Sequence, residues 1–363
     1  MTNKTLFRIA AAALLAGAAC ANAASAAQPA NPQTARFAPL YYGQTLWIML
    51  GSPVPDGWVI TRSSGNQNEI TDTHGASYTQ QLSVMLGSPI PKDWVVIRST
   101  GTTNVIYYSK GASLGTEIAV MLGSPTPDGW VIVRGDGKMN VLHNLNGSSY
   151  GSEITVMLGS PIPADWVVVR ANGNSNVIRY TKGAAPGTEI SVMLGSPIPD
   201  GWAIVRGDGN MNTLRNLNGS SYGNEITVML GSPIPADWVV VRANGNSNVI
   251  RYTKGAAPGT EISVMLGSPI PDGWAIVRGD GNMNTLRNLN GSSYGNEITV
   301  MLGSPIPADW VVVRANGNSN VIRYTKGAAP GTEITVMLGS PIPAGWVVVR
   351  SSGNMNVIRY MGR

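Results

Sequence analysis

Hydrophobic and polar positions alternate along short stretches of this chain, and no window follows a helical period. In Glu189-Ile190-Ser191-Val192-Met193-Leu194 the residues Ile190, Val192 and Leu194 share one side at period two, the spacing of a half-buried strand. Trp202-Ala203-Ile204-Val205-Arg206 and Asn212-Thr213-Leu214-Arg215-Asn216 are enriched in β-branched and large apolar residues and bounded by turn formers, which predicts two more strands. Residues 195–201 hold two prolines, which cannot donate to a ladder, so this stretch is a loop. Gly207-Asp208-Gly209-Asn210 tolerates positive φ and suits a hairpin connection.

The three predicted strands recur. Met-Leu-Gly-Ser-Pro begins at Met49, Met85, Met121, Met157, Met193, Met229, Met265, Met301 and Met337, 36 residues apart each time. Such self-similarity decides architecture before local propensity does. One unit alone is too poor in core: ordering its backbone costs ~1–2 kcal/mol per residue, and its few large apolar side chains return ~1.5–3 kcal/mol each. The units must bury each other's faces. The expected fold is all-β, nine tandem three-stranded units over residues 45–363. A closed propeller is an alternative, although 36 residues is short for a four-stranded blade.

A 72-residue period overlies the 36-residue one. Units one, three, five and seven carry Pro-Asp-Gly-Trp; units two, four, six and eight carry Lys-Asp-Trp or Ala-Asp-Trp. Either three antiparallel strands reverse the chain direction, so that six are needed to return, or an ancestral doublet was duplicated. Residues 157–228 and 229–300 are identical.

The N-terminal segment predicts export. Lys4 and Arg8 precede an apolar run at residues 9–19, then small residues that fit A-x-A cleavage near Ala23 or Ala26. Residues 1–26 are read as a signal peptide and 27–44 as a linker or cap. Cys20, the single cysteine, leaves with the signal, so neither disulfides nor Cys-ligated zinc hold the mature chain. No apolar run is long enough to span a bilayer as a helix. The expected location is secreted, periplasmic or cell-surface. Charged residues make up 12% of the chain and the net charge is +5, but the two units of a doublet cancel. No basic stripe builds up, which argues against nucleic acid as a partner.

Catalytic constellations are missing from the pattern. His74 and His143 each occur in one unit, without a partner at motif spacing, and neither a metal nor another cofactor is expected. Asp208-Gly209-Asn210-Met211-Asn212 opens like a calcium loop but lacks the later bidentate Glu, so turn chemistry explains it. The nine motif tryptophans, Trp58 to Trp346, open the most apolar strands and are assigned to the core. Arg170 and Arg206 are expected to pair with acidic groups on neighbouring strands. Tyr180, Tyr252 and Tyr324, at the ends of third strands, are candidate ligand contacts.

Val205-Arg206-Gly207-Asp208-Gly209-Asn210, followed by an apolar strand, resembles the core of the bulb-type mannose-binding lectin repeat, Q-x-D-x-N-x-V-x-Y. The resemblance covers some ten residues per unit. It implies β-prism modules of three repeats each as an alternative fold, and sugar contacts at Asp208 and Asn210, and at Asp280 and Asn282. The chain departs from the pattern at Arg206, where Gln is expected, and at Asn212, which displaces the later positions by two.

These readings converge on a non-enzymatic exported protein that binds glycans or another cell-surface component multivalently. The rival is a structural, self-assembling cell-surface or matrix protein that associates through its sheet edges.

Overall fold

A computed structural model describes residues 42–362. The predicted signal peptide, Cys20 and nearly all of the linker lie outside the described residues. Within them the chain forms 27 strands and no helix, in nine three-stranded sheets.

The fifth unit represents the rest. Its first strand is Glu189–Met193, its second Trp202–Asp208 and its third Met211–Asn216. The third strand is central and pairs antiparallel with both others. All nine sheets share this order. The first and second strands therefore run parallel, and residues 195–201 are a crossover that carries the chain back along the sheet. The prolines suit that extended passage, because they fix φ and need no ladder partner.

This topology overturns the strand-count explanation of the doublet. The chain runs up the first strand, back through the crossover, up the second and down the third. It finishes at the end where it began, so 36 residues complete one structural period. The 72-residue alternation is one of side chains, in the loops and at strand positions such as Ala203 against Val167 and Asn216 against Tyr180.

The second strand has a bulge. Ile204 pairs with Leu214 and Arg206 with Thr213, leaving Val205 unpaired. The second strand is an edge strand, and in its register the Ile204 N–H points away from the central strand; it donates to Ser232 Oγ in the crossover of the next unit at 2.8 Å. The same bond joins every successive pair of units. Each second strand also packs against the next unit's first strand, and no other units touch strand to strand. The described units thus neither group in threes nor close into a ring, so the prism and propeller alternatives do not hold.

The core lies between units. Val167, Val169 and Val177 of the fourth unit cluster with Ile190, Val192, Trp202 and Leu214 of the fifth. Trp166, Val168 and Ile178 turn the other way, onto Val131 and Leu145 of the third. Strand alternation thus supplies two buried faces per sheet. The ninth unit provides an internal control: Val347 is 43% exposed, whereas its equivalent Val311, covered by the next unit, is fully buried.

Two expectations from the pattern need correction. Leu194 does not join Ile190 and Val192 in the core; the first strand stops at Met193, and Leu194 is 64% exposed. Arg170 and Arg206 do find acidic partners, but not on adjacent strands. Arg170 Nη2 reaches across the central strand to Glu153 Oε2 at 2.9 Å, and Arg179 holds Glu153 Oε1 at 2.6 Å. Arg206 makes the equivalent pair with Glu189.

Candidate functional site

Four clefts recur where an odd unit meets the following even one. Between units five and six the cleft holds about 550 Å³, and its counterparts hold about 540, 520 and 520 Å³. Each is walled by two successive crossovers and the two tryptophans they lead into. In the cleft between units five and six these are Trp202 and Trp238, with Tyr252 beside Trp238. The Trp238 and Tyr252 rings sit 5.2 Å apart, and the pair recurs as Trp166 with Tyr180 and Trp310 with Tyr324. Register explains this, since the residue opening the second strand faces the residue closing the third. The tryptophans are buried and the tyrosines half-buried, so the tyrosine ring is the more accessible aromatic surface.

Polar groups surround this apolar wall. Asp200, Asp237, Asn218 and Lys254 all line the cleft. Asp237 holds a left-handed conformation at φ 64°. Its carbonyl accepts the Thr253 N–H at 2.8 Å and the Thr253 hydroxyl at 2.6 Å. These bonds turn the chain back at the cleft. The Lys254 ammonium lies 3.9 Å from Asp237 Oδ2. In the first cleft, burial and then the Asp93 carboxylate raise the Tyr108 phenol above its ordinary pKa.

The sequence-predicted residues divide. Tyr180, Tyr252 and Tyr324 line three of the clefts. Asp208, Asn210, Asp280 and Asn282 are exposed at hairpin turns, at the opposite end of the second strand from its tryptophan. The structure does not bring the two sets together. The positions implied by the lectin resemblance therefore belong to the opposite end of each sheet from the clefts. Composition and strand pattern did not single out the cleft-lining Asp200, Asp237, Asn218 and Lys254. Their signal was the paired alternation of Gly201 with Asn218 and of Asp237 with Lys254.

Both histidines do have acidic partners. His74 Nδ1 lies 2.6 Å from Oδ1 of the fully buried Asp72. His143 Nδ1 lies 3.4 Å from Glu117 Oε1, replacing the arginine that faces this glutamate in later units. Arg134, and after it His143, hydrogen-bonds to Glu117 and lowers its carboxyl pKa. Among the described residues, no three His, Cys, Asp or Glu side chains gather where they could hold a metal ion.

No protein-family model, curated protein or solved structure matches the chain.

Proposed function

We propose that this is an exported, non-catalytic protein that binds glycans multivalently through its four inter-unit clefts. One observation carries the reading: the same aromatic and carboxylate cleft returns four times at 72-residue intervals. A sugar ring offers one apolar face and a rim of hydroxyls. The half-buried tyrosine and the prolines suit the face; the carboxylates, the amide and the ammonium suit the rim. Repetition raises avidity without strong single contacts, provided several clefts engage one polymer together. Cell-surface or secreted polysaccharide is the matching target, and adhesion is the expected consequence.

The test is glycan-array binding by the full chain, followed by calorimetry on any hit. Polymeric ligands should bind at least tenfold more tightly than their repeating oligosaccharide. Replacing Tyr180, Tyr252 and Tyr324 together with alanine should remove most of that binding. Silence on every glycan, while a control lectin responds, refutes the reading.

A further inference from the structure

Met-Leu-Gly-Ser-Pro is identical in all nine units, and four of its five residues have work inside the chain. The methionine of the third, fifth, seventh and ninth units, Met121, Met193, Met265 and Met337, packs against an inter-unit core. The glycine takes a left-handed φ, 83° at Gly195. The serine accepts the outward-facing edge-strand N–H of the preceding unit from the second unit onward, and the proline begins the crossover. The leucine does none of this. Its N–H donates to the hairpin turn, Leu194 to the Asn210 carbonyl at 2.7 Å, which any residue but proline would do. Its side chain is 60–64% exposed at Leu50, Leu86, Leu122, Leu158, Leu194, Leu230, Leu266, Leu302 and Leu338.

Copying alone does not account for the ladder. The hairpin turns beside it read Ser64-Gly65-Asn66 in the first unit, Thr100-Gly101-Thr102 in the second and Asp136-Gly137-Lys138 in the third. The turns have diverged while Leu50, Leu86 and Leu122 have not. Regularly repeated exposed leucines are a cost in water unless something covers them.

We infer that the leucine ladder is a docking surface for a second copy of this chain. Period decides the occupant: an apolar partner must present groups at the same repeat to meet every leucine, and a second copy does so by construction. Paired about a twofold axis, each ladder meets its own image. The area is adequate. Nine leucines so exposed offer on the order of 500 Å² of apolar surface, and the glycine-rich turns around them extend the patch toward the ~800 Å² per partner of a standard interface. Charge does not oppose it, because the only charged groups at the hairpin turns beside the ladder are Asp136, Lys138, Asp208 and Asp280. The ladder lies at the hairpin end of each sheet and the clefts at the tryptophan end, so pairing leaves the clefts open.

Sedimentation equilibrium of the full chain, across micromolar to millimolar concentration, tests this. The wild type should dimerise. Replacing Leu158, Leu194, Leu230, Leu266 and Leu302 with asparagine should weaken dimerisation at least 100-fold while the circular dichroism spectrum is kept. The control Leu114→Asn, at an exposed linker leucine off the ladder, should leave dimerisation unchanged. A wild type that stays monomeric overturns the inference, as does a dimer indifferent to the five substitutions. Leucine-dependent flotation with phosphatidylcholine vesicles by a monomeric wild type would also overturn it, in favour of a lipid surface. None of these outcomes depends on glycan binding.

Discussion

Asn218 occupies the space that a Cβ on Gly201 would need: the added carbon would lie 2.2 Å from its Oδ1. The same contact recurs between Gly129 and Asn146 and between Gly273 and Asn290. In even units the glycine becomes Asp165, Asp237 or Asp309, still at φ 64–65°, and the asparagine becomes lysine. The alternation thus includes a matched exchange of two residues across each turn. Gly201→Asp alone should destabilise the fifth unit by about 1–3 kcal/mol, through strain and the clash with Asn218. Adding Asn218→Lys should recover much of it. Hydrogen exchange at the cleft amides, read as a double-mutant cycle, checks this. Equal losses for the single and double variants would show that the pairing does not set the alternation.

The bond from Ile204 N–H to Ser232 Oγ makes a second, independent prediction. Ser232→Ala leaves a part-buried edge-strand amide without an acceptor, at a cost of about 1–3 kcal/mol. The loss should be local to one junction. The Ile204 amide should exchange faster, while that of Val168, capped by Ser196, should not change. Uniformly faster exchange throughout the chain would mean that the units unfold as one.

The three strands, the hairpin and the buried tryptophans were legible in the sequence because each has a local signature: alternation at period two, a glycine-rich turn, an aromatic opening an apolar run. The crossover was not. Proline and glycine at residues 195–201 mark a loop, but nothing local says whether it turns the chain into the neighbouring strand or carries it back the length of the sheet. Leu194 misled for a related reason, since it continues the alternation of Ile190 and Val192 one position past the end of the strand. Tyr252 could be found as an aromatic closing a strand. Asp237 and Lys254 could not, because a cleft between two units is a long-range property of the stack.

Acid should loosen the Arg–Glu–Arg clamps. The hydrogen bond from Arg242 lowers the Glu225 carboxyl pKa from its ordinary 4.5, against a smaller opposing effect of burial and with Arg251 adding to the lowering. A lowered folded-state pKa means that the stabilisation is complete above the unfolded value and is lost as pH falls through the folded one. Unfolding midpoints should therefore drop as pH falls below the ordinary glutamate value. Both arginines are well exposed, at 57% and 38%, so solvent screening keeps each clamp below about 1 kcal/mol. Glu225→Gln should reduce this acid sensitivity, and added salt should reduce it too. A denaturant midpoint that is flat from pH 7 to pH 3 would contradict the assignment.

Deleting whole periods tests the architecture and the multivalent reading together. Every junction uses the same serine cap and the same strand contacts, so stability should depend on neighbours and not on total length. Removing residues 193–264, one 72-residue period, joins Val192 to Met265 and restores the sequence Ile-Ser-Val-Met-Leu. It takes out one cleft, that between units five and six, and leaves every other turn with its matched partner. The shortened chain should melt within a few degrees of the parent and bind a polymeric glycan less tightly, with single-site affinity unchanged. Removing only residues 193–228 places two even-type units in succession and breaks the odd-to-even order that forms the cleft. That chain should also fold, because 36 residues complete the structural repeat, yet it should likewise lose one cleft. Melting temperature and polymer affinity measured on both deletions separate the two periods. A 36-residue deletion that fails to fold, beside a 72-residue one that does, would make the doublet the true unit of stability.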